Sequence, residues 1–394
     1  MFLLAGCFWL LNFQVRKVYM AQLALYSAAT AATVWAIVLL LPWQPWRNRE
    51  VLEADGAAPP DYDLSDVTVV IPARNEASVI AATLSALEKQ GAGLQVILVD
   101  DDSDDATVAI ARELGLSGLR IISAQLLPSG WTGKLWAQQQ GTEQVKTDLT
   151  LLLDADIELA PGMLKSLKCK LEGEKLHFVS LMAVLRLSSF WEKLLMPAFI
   201  HFFKMLYPFA LANRPDHPMA AAAGGCILLK TEIIRHIGGM AAIRDAVIDD
   251  CTLAKKVKSA GYRIWVGLTH GVLSQRPYNS LADIWEMVSR TAYTQLHYSL
   301  WLLFACTAML LLMYWLPLVS LFHFQGLAQL FSGFSVLVML AVYLPTLRFY
   351  ALHPCWSLVM PLIAGLYLLM TWTSAIRCWQ GERTRWKGRV YENA

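Results

Sequence analysis

Charge is scarce in this 394-residue sequence: 16 % of its residues are Asp, Glu, Lys or Arg, against 56 % hydrophobic residues. So little charge excludes an ordinary soluble enzyme and reads as a membrane protein with a soluble part. The net charge is only +2 and there is no basic block, so nucleic acid is not an expected partner. The seven cysteines are scattered and none forms C-x-x-C, which argues against a zinc site and against a disulfide framework. No G-x-G-x-x-G follows the first strand-like run, and G-x-x-x-x-G-K-[ST] is absent. Their absence argues against a dinucleotide-dependent dehydrogenase and a P-loop phosphotransferase.

Long apolar runs are what the chain has instead. Residues 18–41 carry no charge, follow Arg16 and Lys17, and precede Trp43, Trp46, Arg47 and Arg49. The run is too long for a signal-peptide core and reads as a retained anchor. Residues 298–323, 327–347 and 357–376 each approach the ~20 residues of a spanning helix. Arg377, Arg383, Arg385, Lys387 and Arg389 then form a basic tail that favours the cytoplasm, as do Arg47 and Arg49. Three full C-terminal spans would put soluble part and tail on opposite sides. Either one C-terminal segment is re-entrant or interfacial, the preferred expectation, or the positive-inside rule fails here, as Arg16 and Lys17 before the anchor would suggest. The reading divides the chain into an anchor (1–49), a Pro-containing linker (50–65), a soluble domain (66–296), C-terminal membrane helices (297–376) and a tail (377–394).

Within 66–296, apolar runs of strand length alternate with helical spacing. Val67-Thr68-Val69-Val70-Ile71 reads as a buried strand stopped by Pro72, with a helix over 77–90 after it. Residues 95–99 are a second strand, 104–115 a helix and 119–122 a third strand. Alternation of this kind predicts an α/β fold with a mainly parallel sheet, which binds ligands beyond the carboxyl ends of its strands. Three such ends are polar: Pro72-Ala73-Arg74-Asn75-Glu76, Asp100-Asp101, and Asp154-Ala155-Asp156 after the apolar run 149–153. A lone Asp pair at a strand end is often just solvated. Several polar ends on one edge point to a site, and two hard oxygen ligands suit Mg2+ or Mn2+ carrying a diphosphate.

As a set, these motifs resemble the inverting family 2 glycosyltransferases of GT-A fold. The likeness rests on Val69-Val70-Ile71-Pro72-Ala73-Arg74-Asn75-Glu76, the Val-Asp-Asp-x-Ser-x-Asp-x-Thr of 99–107, and Asp154-Ala155-Asp156. Gly224-Gly225-Cys226-Ile227-Leu228-Leu229-Lys230, Ile248-Asp249-Asp250-x-x-Leu253 and Ala260-Gly261-Tyr262-Arg263-Ile264 complete it, over roughly residues 66–275. The segments 130–137 and 386–391 are similar to the membrane-bound branch that glycosylates lipids, most like the hopene-associated glycosyltransferases of bacterial hopanoid clusters.

The resemblance implies a nucleotide-sugar donor, a UDP-sugar first, a lipid acceptor and a catalytic domain on the cytoplasmic face of a bacterial inner membrane. It implies Asp156 as metal ligand, with Asp154 on metal or ribose. Asp250 would be the general base, supported by Asp249, which stands where the family usually has Glu. Their bland reading is a helix N-cap. Pro72, Ala73, Arg74, Glu76, Asp100 and Asp101 would hold the nucleoside, and Lys134 the base or a phosphate. The branch's Gln-x-x-Arg-Trp block is broken here; Arg276 of Gln275-Arg276-Pro277-Tyr278, or Arg290, would support the diphosphate. The aromatic-rich stretch 189–213 and residues 279–296 are expected as interfacial helices admitting the acceptor. Polyprenyl phosphate or ceramide are alternative acceptors, and a catalytically inactive lipid-binding protein is the alternative of another class.

Overall fold

The computed structural model describes residues 2–56, 59, 61–386 and 389–392. Pro60 of the linker, and Lys387 and Gly388 of the tail, lie outside them. The chain opens with α1 (Phe2–Leu40). Beyond the linker come β1 (Val67–Ala73), α2 (Ile80–Glu88), β2 (Gln95–Asp100), α3 (Thr107–Glu113) and β3 (Leu119–Ser123). There follow α4 (Gly133–Glu143), β4 (Leu149–Leu153), β5 (Ile157–Leu159), α5 (Met163–Gly173) and β6 (Phe178–Val184). Two helices, α6 (Phe190–Leu206) and α7 (Phe209–Ala212), precede β7 (Cys226–Lys230), α8 (Thr231–His236), α9 (Asp249–Ser259) and β8 (Ile264–Ser274).

These strands form one sheet in the order β3-β2-β1-β4-β7-β6-β8-β5. Neighbours from β3 to β4 are parallel, as are β6 and β8; β7 runs antiparallel to β4 and β6, and β5 to β8. β1 and β4 are buried at every residue, which is why they read as unbroken apolar runs: helices cover both faces. β1 does not stop at Pro72. It continues to Ala73, paired with β2 through Pro72↔Val99 and Ala73↔Asp100. The proline is tolerated because pairing with β4 ends earlier, at Val70↔Leu152. The ladder bond that Pro72 cannot donate would have fallen on that vacated side.

α10 (Leu281–Ser289) and α11 (Ala292–Gln295) lead to α12 (Leu300–Leu310), which passes through a wide turn at Leu311–Trp315 into α13 (Leu316–His323). α14 (Leu327–Phe349), α15 (Met360–Trp379) and a hairpin of β9 (Glu382–Trp386) and β10 (Arg389–Glu392) follow. Among the described residues, four helical stretches are long and apolar enough to cross a membrane: Val18–Leu40, Leu300–His323, Leu327–Phe349 and Pro354–Trp379. The fourth packs on α6 and α10 as well as on α12, where Trp372 Nε1 donates to Thr307 at 3.0 Å. The Trp356 ring lies 5.7 Å from that of Phe190 at the start of α6, and Tyr367 donates to the Leu195 carbonyl at 2.9 Å. Thr373 accepts from Trp285 Nε1 at 3.1 Å, and Arg377 pairs with Glu286 at 2.7 Å. From one end to the other, this stretch lies along α6 and α10.

The segment between α1 and β1 is docked on the domain. Leu52 donates to the Leu268 carbonyl at 2.9 Å, and Asp55 pairs with Lys165 at 2.7 Å. Lys204 of α6, buried at 2 % exposure, donates to the Arg47 carbonyl and the Asn48 side chain, tying the exit of α1 to the domain.

Candidate active site

The polar ends of β1 and β4 open with the starts of α4 and α9, the segment after β8, and α6 and α10 onto one cavity of about 700 Å³. Its polar wall comes from loops at strand ends, where backbone turns project short acidic side chains. Its other wall is apolar: Met182 and Leu185 from β6 and beyond, Phe199, Ile200 and Phe203 from successive turns of α6, and Met287 from α10.

Two cations organise the acids. Lys134, at the start of α4, places its ammonium 2.9 Å from Asp154 Oδ1 and 3.4 Å from Asp249 Oδ2. Burial alone would lower its pKa; Asp154 and Asp249 outweigh that and raise it. Arg276 donates from Nε to Asp156 Oδ2 at 3.0 Å and from a terminal nitrogen to Glu76 Oε1 at 3.0 Å. Here too burial pulls down, while Asp156 and Glu76 pull the guanidinium up. Ser274 donates to the same Asp156 oxygen at 3.2 Å. Asp154 is raised above the ordinary carboxylate range by burial, against the pull of Lys134 and with the push of Asp156.

Asp250 is not a helix N-cap. It sits just inside α9; its Oδ1 accepts the Cys251 N–H at 2.7 Å, and its Oδ2 reaches away to the Gly224 N–H at 2.8 Å. Burial, and then the neighbouring Asp249, push its carboxyl up to about 7 against those two N–H groups and Lys134. Gly224 permits this approach: a Cβ there would lie 3.3 Å from Asp250 Oδ2 and 3.4 Å from Lys134 Nζ. A carboxyl poised near neutrality and facing a cavity has the properties of a general base.

Asp154 and Asp156 suit a divalent ion. Both are hard oxygen donors, and each already holds a cationic nitrogen from the cavity wall. No cluster of three or more His, Cys, Asp or Glu with metal geometry occurs among the described residues. The remaining ligands would thus come from a substrate diphosphate, as Mg2+ sites commonly arrange.

Of the residues singled out in the sequence, Pro72, Glu76, Lys134, Asp154, Asp156, Asp249, Asp250, Arg276 and Arg290 line this one cavity. Ala73, Arg74, Asp100 and Asp101 do not. Asp101 is only 2 % exposed, and Arg74 turns to the carbonyls of Asp101 and Asp102, bracing the β1 and β2 loops. Sequence reading missed Ser274, Tyr278 and Glu286, which also line the cavity. Ser274 carried a usable signal, because it is the last residue of a strand that ends just before Gln275-Arg276. Its pairing with Ile157 then sets it beside Asp156.

Residues 68–238 match the family described as Glycosyl transferase family 2. A 95-residue stretch is 36 % identical to a 4,4'-diaponeurosporenoate glycosyltransferase of Staphylococcus haemolyticus, covering 24 % of each chain. A 118-residue stretch is 30 % identical to the protein of that name from Staphylococcus aureus, covering 29 % of this chain and 31 % of that one. The chain thus matches about a quarter to a third of the length of these curated relatives. Among solved structures, a mannosyltransferase from Pyrobaculum calidifontis in complex with GDP-Man and Mn2+ superposes with a TM-score of 0.51 at 18 % identity. The superposition covers 89 % of this chain and 99 % of that one, and it shows a shared GT-A fold.

Proposed function

We propose that this chain, whose residues 68–238 carry a glycosyl transferase family 2 domain, moves a sugar from a nucleotide sugar to a hydroxyl on an apolar lipid, with inversion at the anomeric carbon. The observation that carries the reading is the cavity itself. Acids paired with Lys134 and Arg276, a near-neutral Asp250, and an aromatic wall on α6 face one space. A UDP-sugar is the first donor and a hopanoid the first acceptor to test. The relatives' named substrate, a lipid-like carotenoid acid, supports an apolar acceptor more broadly.

Asp156 and Asp154 would hold Mg2+ or Mn2+ together with the donor diphosphate. The ion when bound supplies Lewis-acid neutralisation of the leaving group. Arg276, at the same carboxylate, is placed to take phosphate oxygens as charge builds there. The acceptor's apolar body lies against Phe199, Ile200 and Phe203, its hydroxyl directed to Asp250. Asp250 takes the hydroxyl proton as the oxygen attacks the anomeric carbon opposite the departing diphosphate. A single displacement of this kind inverts the centre. Orientation by the two walls does part of the work, since a positioned nucleophile avoids the entropy of encounter.

The membrane helices and the α15 contacts support an integral membrane protein in which α15 lies at the bilayer surface. Catalytic domain and tail would then share the cytoplasmic side. The test is incubation of purified protein with UDP- and GDP-sugars, Mn2+, and hopanoid, polyprenyl-phosphate, ceramide or carotenoid-acid acceptors, read by lipid mass spectrometry. A glycosylated hopanoid supports the full reading. Transfer only to a polyprenyl phosphate, a ceramide or the acid replaces the acceptor, and no transfer to any lipid overturns it.

A further inference from the structure

The start of α6 holds more than its own helix. Ser189 and Glu192 form a reciprocal cap: the Glu192 N–H donates to Ser189 Oγ at 3.0 Å, and Glu192 Oε2 accepts the N–H groups of Ser188 and Ser189, each at 2.8 Å. Such a cap needs one carboxylate oxygen and usually stands in solvent. Glu192 is instead fully buried, and its second oxygen accepts the Tyr278 N–H at 2.8 Å across a separation of 86 residues. Ser189 Oγ in turn donates to the Tyr278 carbonyl at 3.2 Å. Both backbone groups of Tyr278 are therefore held by one helical cap.

Tyr278 ends a short strap whose other end is fixed beside the acids. Gln275 donates its N–H to the Asp156 carbonyl at 2.7 Å and its side-chain amide to Glu158 at 2.6 Å. Arg276 lies between these two anchorages, with its guanidinium on Asp156 and Glu76. Among the described residues no hydrogen bond or ion pair joins α6 to Arg276, yet the position of its backbone is set from both sides.

We propose that Glu192 is a positioning residue for the donor: by holding Tyr278, it fixes the strap so that Arg276 meets the diphosphate. This rests on the glycosyl-transfer reading, which assigns the diphosphate to that place. The role requires two acceptor oxygens. Glutamine offers one acceptor oxygen and one NH2 group, which would face an N–H donor. Glu192→Gln keeps the cap through its oxygen and loses Tyr278, so the helix survives while the strap loosens.

The experiment compares wild type, Glu192→Gln, Arg276→Ala and the double variant. It measures binding of UDP and GDP with Mn2+ by titration calorimetry, and donor and acceptor KM with whichever lipid is glycosylated. Wild type binds one nucleoside diphosphate. Glu192→Gln weakens that binding and raises donor KM by about tenfold, the scale of one lost charged hydrogen bond. Acceptor KM stays within about twofold and helix content by circular dichroism is unchanged. In the Arg276→Ala background, Glu192→Gln changes donor KM no further. Unchanged nucleotide binding in Glu192→Gln overturns the proposal, as does an effect that adds in full to Arg276→Ala, or equal losses for donor and acceptor. If Glu192→Gln does not fold, Glu192→Asp, which keeps both oxygens on a shorter reach, is read by the same criteria. A wild type that binds neither UDP nor GDP overturns the donor reading itself, and this inference with it.

Discussion

Arg276 Nε and Asp156 Oδ2 lie 3.0 Å apart, so the carboxylate assigned to the metal is held by a guanidinium. A divalent ion and its diphosphate would have to share or displace that contact, and the displaced guanidinium then meets phosphate. Asp156→Asn removes the charge both partners use. Lipid glycosylation is expected to fall by about 10³-fold, several kcal/mol of leaving-group stabilisation. Chelation of wild type by EDTA should abolish transfer and added Mn2+ restore it. Steady-state transfer with each ion decides this, and activity of Asp156→Asn near wild type would remove the metal from the mechanism.

Asp250 carries a pH prediction for activity. With its carboxyl pushed up to about 7 by burial and Asp249, the deprotonated base accumulates only as pH rises through that value. Thus kcat/KM should climb about tenfold per pH unit below about 7 and level off above it. Asp250→Asn should be lower by about 10² to 10⁴-fold, with that rise gone. An acceptor that is itself an acid is already ionised at neutral pH and needs no base. Survival of transfer in Asp250→Asn would therefore point to a carboxylate acceptor.

The same residue predicts a stability change of definite sign. Its folded pKa exceeds the ~3.9 of an unfolded chain, so the native state binds the proton more tightly. Its contribution is fully present below about pH 4 and is lost as pH rises through about 7. Asp250→Asn, never charged, should melt higher than wild type at pH 8, and the gap should shrink towards pH 4. Thermal melts of the two proteins across that range test it.

Phe203 belongs to the apolar wall that α6 gives the cavity. Phe203→Ser should lower kcat/KM for a lipid acceptor by about tenfold or more, since burying an aromatic side chain is worth roughly 1.5–3 kcal/mol. Binding of UDP or GDP should not change. Titration calorimetry and acceptor kinetics on the same preparation separate the two effects.

The lie of α15 predicts a topology. In a cysteine-free background, Asp216→Cys and Gln380→Cys should react with an impermeant maleimide from the same side of the membrane. Gln325→Cys, in the turn between α13 and α14, should react from the other. Reaction of the 216 and 380 positions from opposite sides would mean that α15 crosses the bilayer.

What could be read from the sequence follows from the range of the forces involved. The strands at 67, 95 and 149 were readable because both faces are buried, leaving apolar runs, whereas the half-exposed edge strand at 119 was readable from the alternation of strands and helices. Acids at their ends stood out against those runs. Pro72 misled by one step: whether a proline ends a strand depends on which neighbour still pairs there, and that is a tertiary fact. Arg74, Asp100 and Asp101 share a strand-end pattern with Glu76 and Asp154, yet they do not line the cavity, and Arg74 turns to the carbonyls of Asp101 and Asp102 instead. Which way a strand-end side chain faces is set by tertiary neighbours that spacing does not show. Lys134 stood out only through the family resemblance, which assigned it to the base or a phosphate, since a lysine after a glycine is otherwise ordinary. Its place between Asp154 and Asp249 depends on α9, which lies more than a hundred residues further along. The Glu192 clamp on Tyr278 had no local signal beyond an ordinary capping pattern.

Tyr367 of α15 holds the backbone of α6 at Leu195, one turn past Glu192 and one turn before Phe199. A protein built in this way resists modular dissection. Deleting the C-terminal helices to obtain a water-soluble catalyst would uncover the helix that shapes the reaction chamber. Exchanging them for those of another membrane enzyme would alter the chamber as well as the address. Changes in the apolar C-terminal helices would therefore reach the cavity wall through α6.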